Sequence, residues 1–408
     1  MIDALHALQR LARHKVSKFL LPLFFFFPII GNAISRLSKH GWWLNDFDAL
    51  ICGADHLRRG LSPYGLHPVC PGLRPAVYVY APQIGQAFTP VINLFGVTGV
   101  RWAYLFILIP ILGLLLWYAV LKPIDNLPRA LRMMTLAAMA GSAMACGNIG
   151  LVLHGLVILA ALNFKHNRWP FIIAVALAAL IKPVFLTYLI VLLYEDRAVL
   201  ARLRATLVAL SVGLSGFIAL LLTAGPFGKA WQQALSAIVI HEQPGIGFFS
   251  FTSLLGWSTT SPVTLAAFCF FALIIAGSGL ILAEWGGLNA LERIVLGLGV
   301  AQLLNPRLMD YDMLALAPCM TLVVMRSRLL GERVFFYVSW TFASTLIACV
   351  VVNILEIGLI HRAPVTIFIY CLLLASVAAL AALPQAARIR GWCHNPLLVL
   401  QDILAQRI

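Results

Sequence analysis

Apolar runs long enough to cross a membrane recur along nearly the whole chain, and no other feature narrows its possible folds so far. They lie at 19–35, 100–121, 131–147, 149–163, 169–181, 183–194, 205–224, 262–284, 289–304, 311–326, 334–354 and 364–384. A spanning helix needs roughly 20 mostly apolar residues, somewhat fewer when it packs among others. The runs at 149–163, 169–181 and 183–194 are short, and Pro183 divides two of them. Ten to twelve spans are therefore expected, some of them broken or tilted. Composition agrees: 62% of the 408 residues are hydrophobic and 11% charged, against about 45–50% and about 25% in ordinary soluble proteins. The expected class is an all-α polytopic membrane protein, with residues 1–408 forming one membrane domain.

The charges orient it. Lys and Arg total 29 against 15 Asp and Glu, a formal net charge of +14. Such an excess could signal a nucleic-acid partner, but placing it along the spans gives another reading. With twelve spans and a cytoplasmic N-terminus, 19 basic residues fall in cytoplasmic segments and 9 in outer ones, with Lys182 inside an apolar run. That is the positive-inside bias. It predicts both termini inside (1–18 and 385–408), a first outer loop at 36–99 and a second at 225–261, and it removes the need for nucleic acid. The N-terminal segment has basic residues but no small-residue cleavage site, so an uncleaved first helix is expected rather than a removed signal peptide. Gln83 to Val97 is too short to span, follows Pro82 and contains Pro90; it reads as an interfacial helix on the outer face.

Eight cysteines are present. Five lie in apolar runs and one near the C-terminus, where they read as small hydrophobes. Cys52 and Cys70 share the first outer loop, whose compartment would permit a disulfide, although spacing alone leaves the pairing open. No CxxC pair, HExxH or P-loop occurs, so no resident metal or nucleotide site is expected.

The first outer loop opens with Gly41-Trp42-Trp43-Leu44-Asn45-Asp46-Phe47-Asp48. Two tryptophans suited to the interface thus stand beside two acids. Taken alone, such acids are solvated loop residues, or Asp46 caps the helix that follows. The sequence around them adds more. Gly60, Pro63 and Tyr64 follow in a Gly-x-x-Pro-Tyr pattern, then Tyr78, Tyr80 and Pro82 in a turn, then Pro90 in a short apolar helix. This pattern resembles glycosyltransferase family 87, polyprenyl-phosphate-mannose-dependent mannosyltransferases of the GT-C membrane class. Gln83 stands where the family has a second Pro. Gly147-Asn148 parallels its Gly-Gln, Lys182-Pro183 its Lys-Pro, and Asn305-Pro306-Arg307 its Ser-Pro. Where many members end that last motif with two histidines, this chain has Tyr311 and Asp312, so no histidine role carries over. The resemblance covers roughly residues 40 to 320, and its first-loop part is the specific one.

The resemblance implies an enzyme of a bacterial inner membrane that moves a sugar, mannose by family expectation, from a polyprenyl phosphate to a glycan or glycolipid outside. Such a transfer needs a base, because a sugar hydroxyl is a poor nucleophile near neutral pH. One carboxylate suffices for inverting displacement; a double displacement would use a second. Asp46 is the expected base and Asp48 the second-rank acid, since a helical segment would turn it elsewhere. Donor phosphate or substrate contacts are expected from Lys182, Arg307, His241, Tyr64, Tyr80 and Asn148. A charge inside an apolar run is costly and marks function by default, yet Lys182 at a span end could equally snorkel outward. Arg307 could equally pair with Asp310 or Asp312, and His241 beside Glu242 could simply be solvated. Arg58 and Arg59 suit anionic headgroups, and His154, inside a span, suits a packed, hydrogen-bonded role. No cofactor is expected, although Asp46, Asp48 and the donor phosphate could together hold a divalent cation. Two other classes compete. A transporter or flippase of lipid-linked sugars usually shows several intramembrane ionisable groups or matched broken halves; here only Lys182, His154 and Pro183 answer. A scaffold of cell-wall assembly predicts nothing special at Asp46.

Overall fold

A computed structural model describes residues 24–27, 29–31, 34, 43–65, 70–73, 77–124, 127–139, 145–164, 166–237, 245–354 and 359–394. Among them there is no strand, and the protein is an all-α polytopic membrane protein. Among the described residues six helical segments are long and apolar enough to cross a bilayer: Thr89–Leu121, Val199–Leu222, Pro262–Trp285, Asp310–Leu330, Glu332–Val352 and Val365–Arg390. Of the first candidate run only scattered residues are described, at 24–27, 29–31 and 34, and all are helical.

In chain order the helices that frame the site are α1 (Asn45–Arg58), α2 (Pro82–Ala87), α3 (Thr89–Leu116), α4 (Arg129–Met139), α5 (Ile149–Leu162), α6 (Trp169–Ile181), α7 (Ile190–Leu193), α8 (Val199–Leu222), α9 (Gly228–Ala234), α10 (Phe248–Leu254), α11 (Pro262–Trp285), α12 (Ala290–Leu303), α13 (Leu316–Arg326), α14 (Glu332–Ile354) and α15 (Leu359–Ala382). Several sequence boundaries shift. Of the run at 131–147, α4 covers the described residues up to Met139, 145–146 form a 3-10 turn, and 140–144 lie outside the described residues. The run at 183–194 becomes a 3-10 turn, Pro183–Leu189, followed by the four-residue α7. Gln83 to Val97 is divided: α2 covers its start, and α3 begins at Thr89 and continues into a span, broken at Gly96, whose φ of 66° is left-handed. Glycine alone takes that conformation without strain.

Long and short helices play different parts. α8 and α11 turn Leu207, Leu222, Phe270 and Leu273 outward, as lipid-facing surfaces do. By contrast α12 is buried from Ile294 to Leu303 and α13 from Leu316 to Val324. α5 has 14 residues and α6 has 13, so at 1.5 Å per residue each rises about 20 Å. That is shorter than hydrocarbon of about 30 Å. One end of each, at Asn148 and at Lys182, therefore lies within the bundle, while Asn163 and Trp169 at the other ends are exposed, and polar groups at the inner ends need partners.

One end of the bundle supplies ion pairs. Glu284, at the end of α11, accepts from Arg202 of α8 at 2.5 Å and from Arg293 of α12 at 3.1 Å. Glu195 pairs with Arg197 at 2.6 Å and more loosely with Arg168. Glu292 caps α12 through Asn289 and pairs with Arg326. These links tie α8, α11, α12 and α13 together where the chain enters α6 and leaves α7 and α11. The opposite ends of α5 and α6 carry a different kind of cluster.

Candidate active site

The cluster is built from helix ends. Pro183 has no N–H and restricts the residue before it to extended conformations. Lys182 is extended accordingly, with φ −138° and ψ 100°, and the turn aims its ammonium inward. Asn148 caps α5, its Oδ1 accepting from the Gly150 amide at 2.8 Å. The same Oδ1 accepts from Lys182 Nζ at 2.6 Å. On its other side Asn148 Nδ2 donates to Asp46 Oδ2 at 2.8 Å and to the Tyr311 hydroxyl at 3.1 Å. One amide thus joins a carboxylate, an ammonium and a phenol.

Asp46 lies in the first turn of α1, where the helix dipole favours its negative charge. Asn45 Nδ2 holds its other oxygen at 2.9 Å. Leu44, just before the helix, is the only described non-glycine residue with positive φ, at 61°, a conformation costing roughly 1–2 kcal/mol. Its amide donates to the Ala145 carbonyl at 2.9 Å, and its side chain fills the space above Gly147. The strain is held by this contact, which presses the start of α1 onto the residues leading into α5. Asp46 is half-buried, so an incoming group can reach it.

Below Asp46 the polar groups continue into the bundle. Asp312, in the 3-10 turn Asp310–Ala315, accepts from the Met309 amide at 3.1 Å through Oδ2. Its Oδ1 meets His154 Nε2 at 2.8 Å, and His154 Nδ1 meets the Tyr188 hydroxyl at 2.7 Å. Gln302 Nε2 donates to the same hydroxyl at 3.2 Å. Lys182 also stacks its ammonium 5.0 Å from the Tyr311 ring centroid and lies within electrostatic reach of Asp312, Arg307 and Asp46.

The other expected site residues have different surroundings. Asp48, two positions on, turns away and is buried against Arg101, whose Nε lies 2.7 Å from Oδ1. Arg101 also donates to the Trp43 carbonyl and lies over its ring. Asp48 thus anchors α1 to α3 instead of facing Asp46. Tyr64 donates to the Tyr80 carbonyl at 2.8 Å, and burial holds its phenol well above the ordinary range, so it stays a donor. Tyr80 is buried and within electrostatic reach of Asp46; Trp231 Nε1 closes the wall by donating to the Val79 carbonyl. The Arg307 amide donates to Asn305 Oδ1 at 3.0 Å. Its segment is zipped to the one that leads into α10, Ile246 N–H to the Leu308 carbonyl at 2.7 Å and Phe249 N–H to the Pro306 carbonyl at 3.0 Å. His241 and Glu242 lie outside the described residues. Arg58 and Arg59 both pair with Asp55.

Cys52 and Cys70 are joined by a disulfide, which resolves the pairing that spacing left open. His56 packs beside it, its Nδ1–H donating to the Cys52 carbonyl at 3.0 Å. These three are the only grouping of metal-ligand types among the described residues, and the disulfide consumes both sulfurs.

No family model, curated protein or solved structure matches the chain.

Sequence reasoning missed Tyr311 and Asp312 as members of the cluster. The signal was present: Asp312 is an acid inside an apolar run, the kind of residue that in a membrane is paired and functional.

Proposed function

We propose that the protein is a membrane glycosyltransferase that moves a sugar, mannose by family resemblance, from a polyprenyl phosphate to a glycan or glycolipid acceptor. The observation that carries this reading is the Asn148 amide bridging Asp46 to Lys182 at the end of a membrane bundle. A half-exposed carboxylate and an ammonium held by one side chain meet the two needs of the reaction. Asp46 takes the proton from the acceptor hydroxyl as it attacks the anomeric carbon. Lys182, with Arg307 nearby, stabilises the phosphate that leaves, as cations do for phosphate oxygens. With Asp48 engaged by Arg101, the arrangement favours a single, inverting displacement over a double one. Tyr64 and Tyr80 shape the wall beside Asp46. The charge bias along the sequence supports an outward-facing site in a bacterial inner membrane, both termini inside, and the lipid tail would lie among the spans.

Reconstitution with polyprenyl-phosphate-mannose and extracts of candidate acceptors tests the reading. Asp46→Asn is expected to lower transfer by about 10²–10⁴-fold, the usual worth of a general base, while folding and lipid binding persist. Unchanged transfer in Asp46→Asn would remove its assigned role. Lipid movement across the bilayer without transfer to any acceptor would favour a flippase.

A further inference from the structure

Beneath the Asp46–Asn148–Lys182 cluster, His154 and Asp312 form a buried pair to which the reaction outlined above assigns no part. Both are nearly inaccessible, at 4% and 6% exposure. With a neutral imidazole every hydrogen bond runs in one direction. Gln302 Nε2 donates to Tyr188 at 3.2 Å, Tyr188 donates to His154 Nδ1 at 2.7 Å, and His154 Nε2–H donates to Asp312 at 2.8 Å. The chain ends on the carboxylate, whose second oxygen takes the Met309 amide.

The same atoms admit a second complete state. A protonated imidazole donates from both nitrogens. Nδ1–H then points to the Tyr188 oxygen, and the phenol proton needs a new acceptor. Gln302 supplies it: its Oε1 is buried and has no hydrogen-bond partner. Turning the amide over exchanges nitrogen for oxygen in nearly the same shape. The network can therefore hold one extra proton without breaking a hydrogen bond, and in doing so turns a neutral ring beside Asp312 into a cation.

Charge around the site gives that capacity a use. Within electrostatic reach of Lys182 are Asp46 from α1, Cys146 ahead of α5, Arg307 and Asp312, with Tyr311 under its ammonium, while Tyr118, Cys319 and Arg132 lie behind Tyr188. Around Lys182 two carboxylates thus stand with two cations. A polyprenyl phosphosugar is a diester with one negative charge. In the transfer the acceptor oxygen–C1 bond forms, the C1–phosphate oxygen bond breaks, and the acceptor proton goes to Asp46 and then to water. The leaving phosphate monoester carries close to two charges near neutral pH, so the site gains a charge that it must offset. We propose that His154 is a positioning residue that takes up one proton from solvent when a phosphate monoester occupies the site, so that Asp312–His154 offsets the leaving group's second charge. This rests on the lipid-phosphate reading above.

The test uses the full chain in phosphatidylcholine nanodiscs, with citronellyl phosphate as the monoester and its methyl ester as the diester. Calorimetric titrations at pH 8 in two buffers of different ionisation heat count the protons exchanged. Wild type is expected to take up close to one proton per monoester bound and none per methyl ester. By linkage its monoester affinity then falls as pH rises, by up to tenfold per pH unit while a whole proton is taken up. His154→Gln is expected to bind more weakly, with no uptake and a flat pH dependence. Gln302→Met, which removes the alternate acceptor together with the Nε2 donor to Tyr188 and leaves the imidazole in place, is expected to reduce uptake. Uptake of the same size in His154→Gln overturns the proposal, as does wild-type binding without uptake, and both leave the lipid-phosphate reading standing. Failure of wild type to bind either ester sinks that reading and this inference together.

Discussion

Leu44 lies over Gly147 so closely that a β-carbon on the glycine would stand 2.3 Å from Leu44 Cδ2. Both residues have left-handed backbones, at φ 61° and 65°, and each immediately precedes residues that build the site, Asn45-Asp46 and Asn148. Gly147→Ala should meet two penalties at once: the clash, and the left-handed conformation that alanine resists by roughly 1–2 kcal/mol. The expected outcome is a folded protein with lowered melting temperature and a larger loss of transfer than the melting shift accounts for. Parallel thermal melts and transfer assays check it.

Asp48→Asn separates anchoring from chemistry. Asp48 is 1% exposed, and removing one partner of a buried ion pair costs about 3–5 kcal/mol because the other charge is stranded. Transfer per folded molecule should remain close to wild type. A drop comparable to that of Asp46→Asn, without loss of stability, would place Asp48 in the reaction instead.

At Lys182, Lys182→Met should weaken binding of the lipid phosphate by about 1.5–3 kcal/mol, the range for hydrogen bonds to charged groups, seen as a raised KM. Gly150→Ala probes the same point from the opposite side. Its β-carbon would stand 2.8 Å from Lys182 Nζ and 2.9 Å from Asn148 Oδ1, so the ammonium must swing away. The two variants should therefore share a phenotype, and steady-state kinetics against donor concentration compares them.

The Cys52–Cys70 bridge closes a loop with a sequence separation of 18, for which chain entropy predicts a contribution of about 3 kcal/mol. Reducing agent, or Cys52→Ala with Cys70→Ala, should lower the melting temperature. It should also raise protease cleavage around Tyr64, because the loop carrying Tyr64 would lose its tether to α1. A cleavage pattern identical to wild type would show that the Tyr64–Tyr80 contact alone holds this loop.

The fold class was legible because apolar runs are a one-dimensional signal that needs no tertiary information. Asp46, Asn148 and Lys182 were each visible as single residues: an acid at a loop start, a motif position and a charge in an apolar run. Their convergence was not, because it depends on where α5 begins and α6 stops. Asp48 shows the limit from the other side. Its distance of two residues from Asp46 says that it faces elsewhere, but not that Arg101, 53 positions on, awaits it. His154 reads correctly as a packed histidine, yet nothing local points to Asp312, 158 positions away. The short helices were legible: the runs at 149–163 and 169–181 match α5 and α6, and Pro183 marks the end of the second.

Four polar side chains of the cluster are attached at the end of a helix or in a turn: Asp46 in a first turn, Asn148 and Lys182 at caps, Asp312 in a 3-10 turn. Terminal turns open at far lower free energy than the helices they finish. Fraying a single turn of α5 or α6 would part Asn148 from Lys182 without separating any two helices. The cluster is therefore a latch mounted on a rigid frame, and amide exchange at Gly150 and Lys182 should run ahead of exchange deep in α12 and α13. Admitting a bulky lipid headgroup then asks for a local unlatching and leaves the bundle intact.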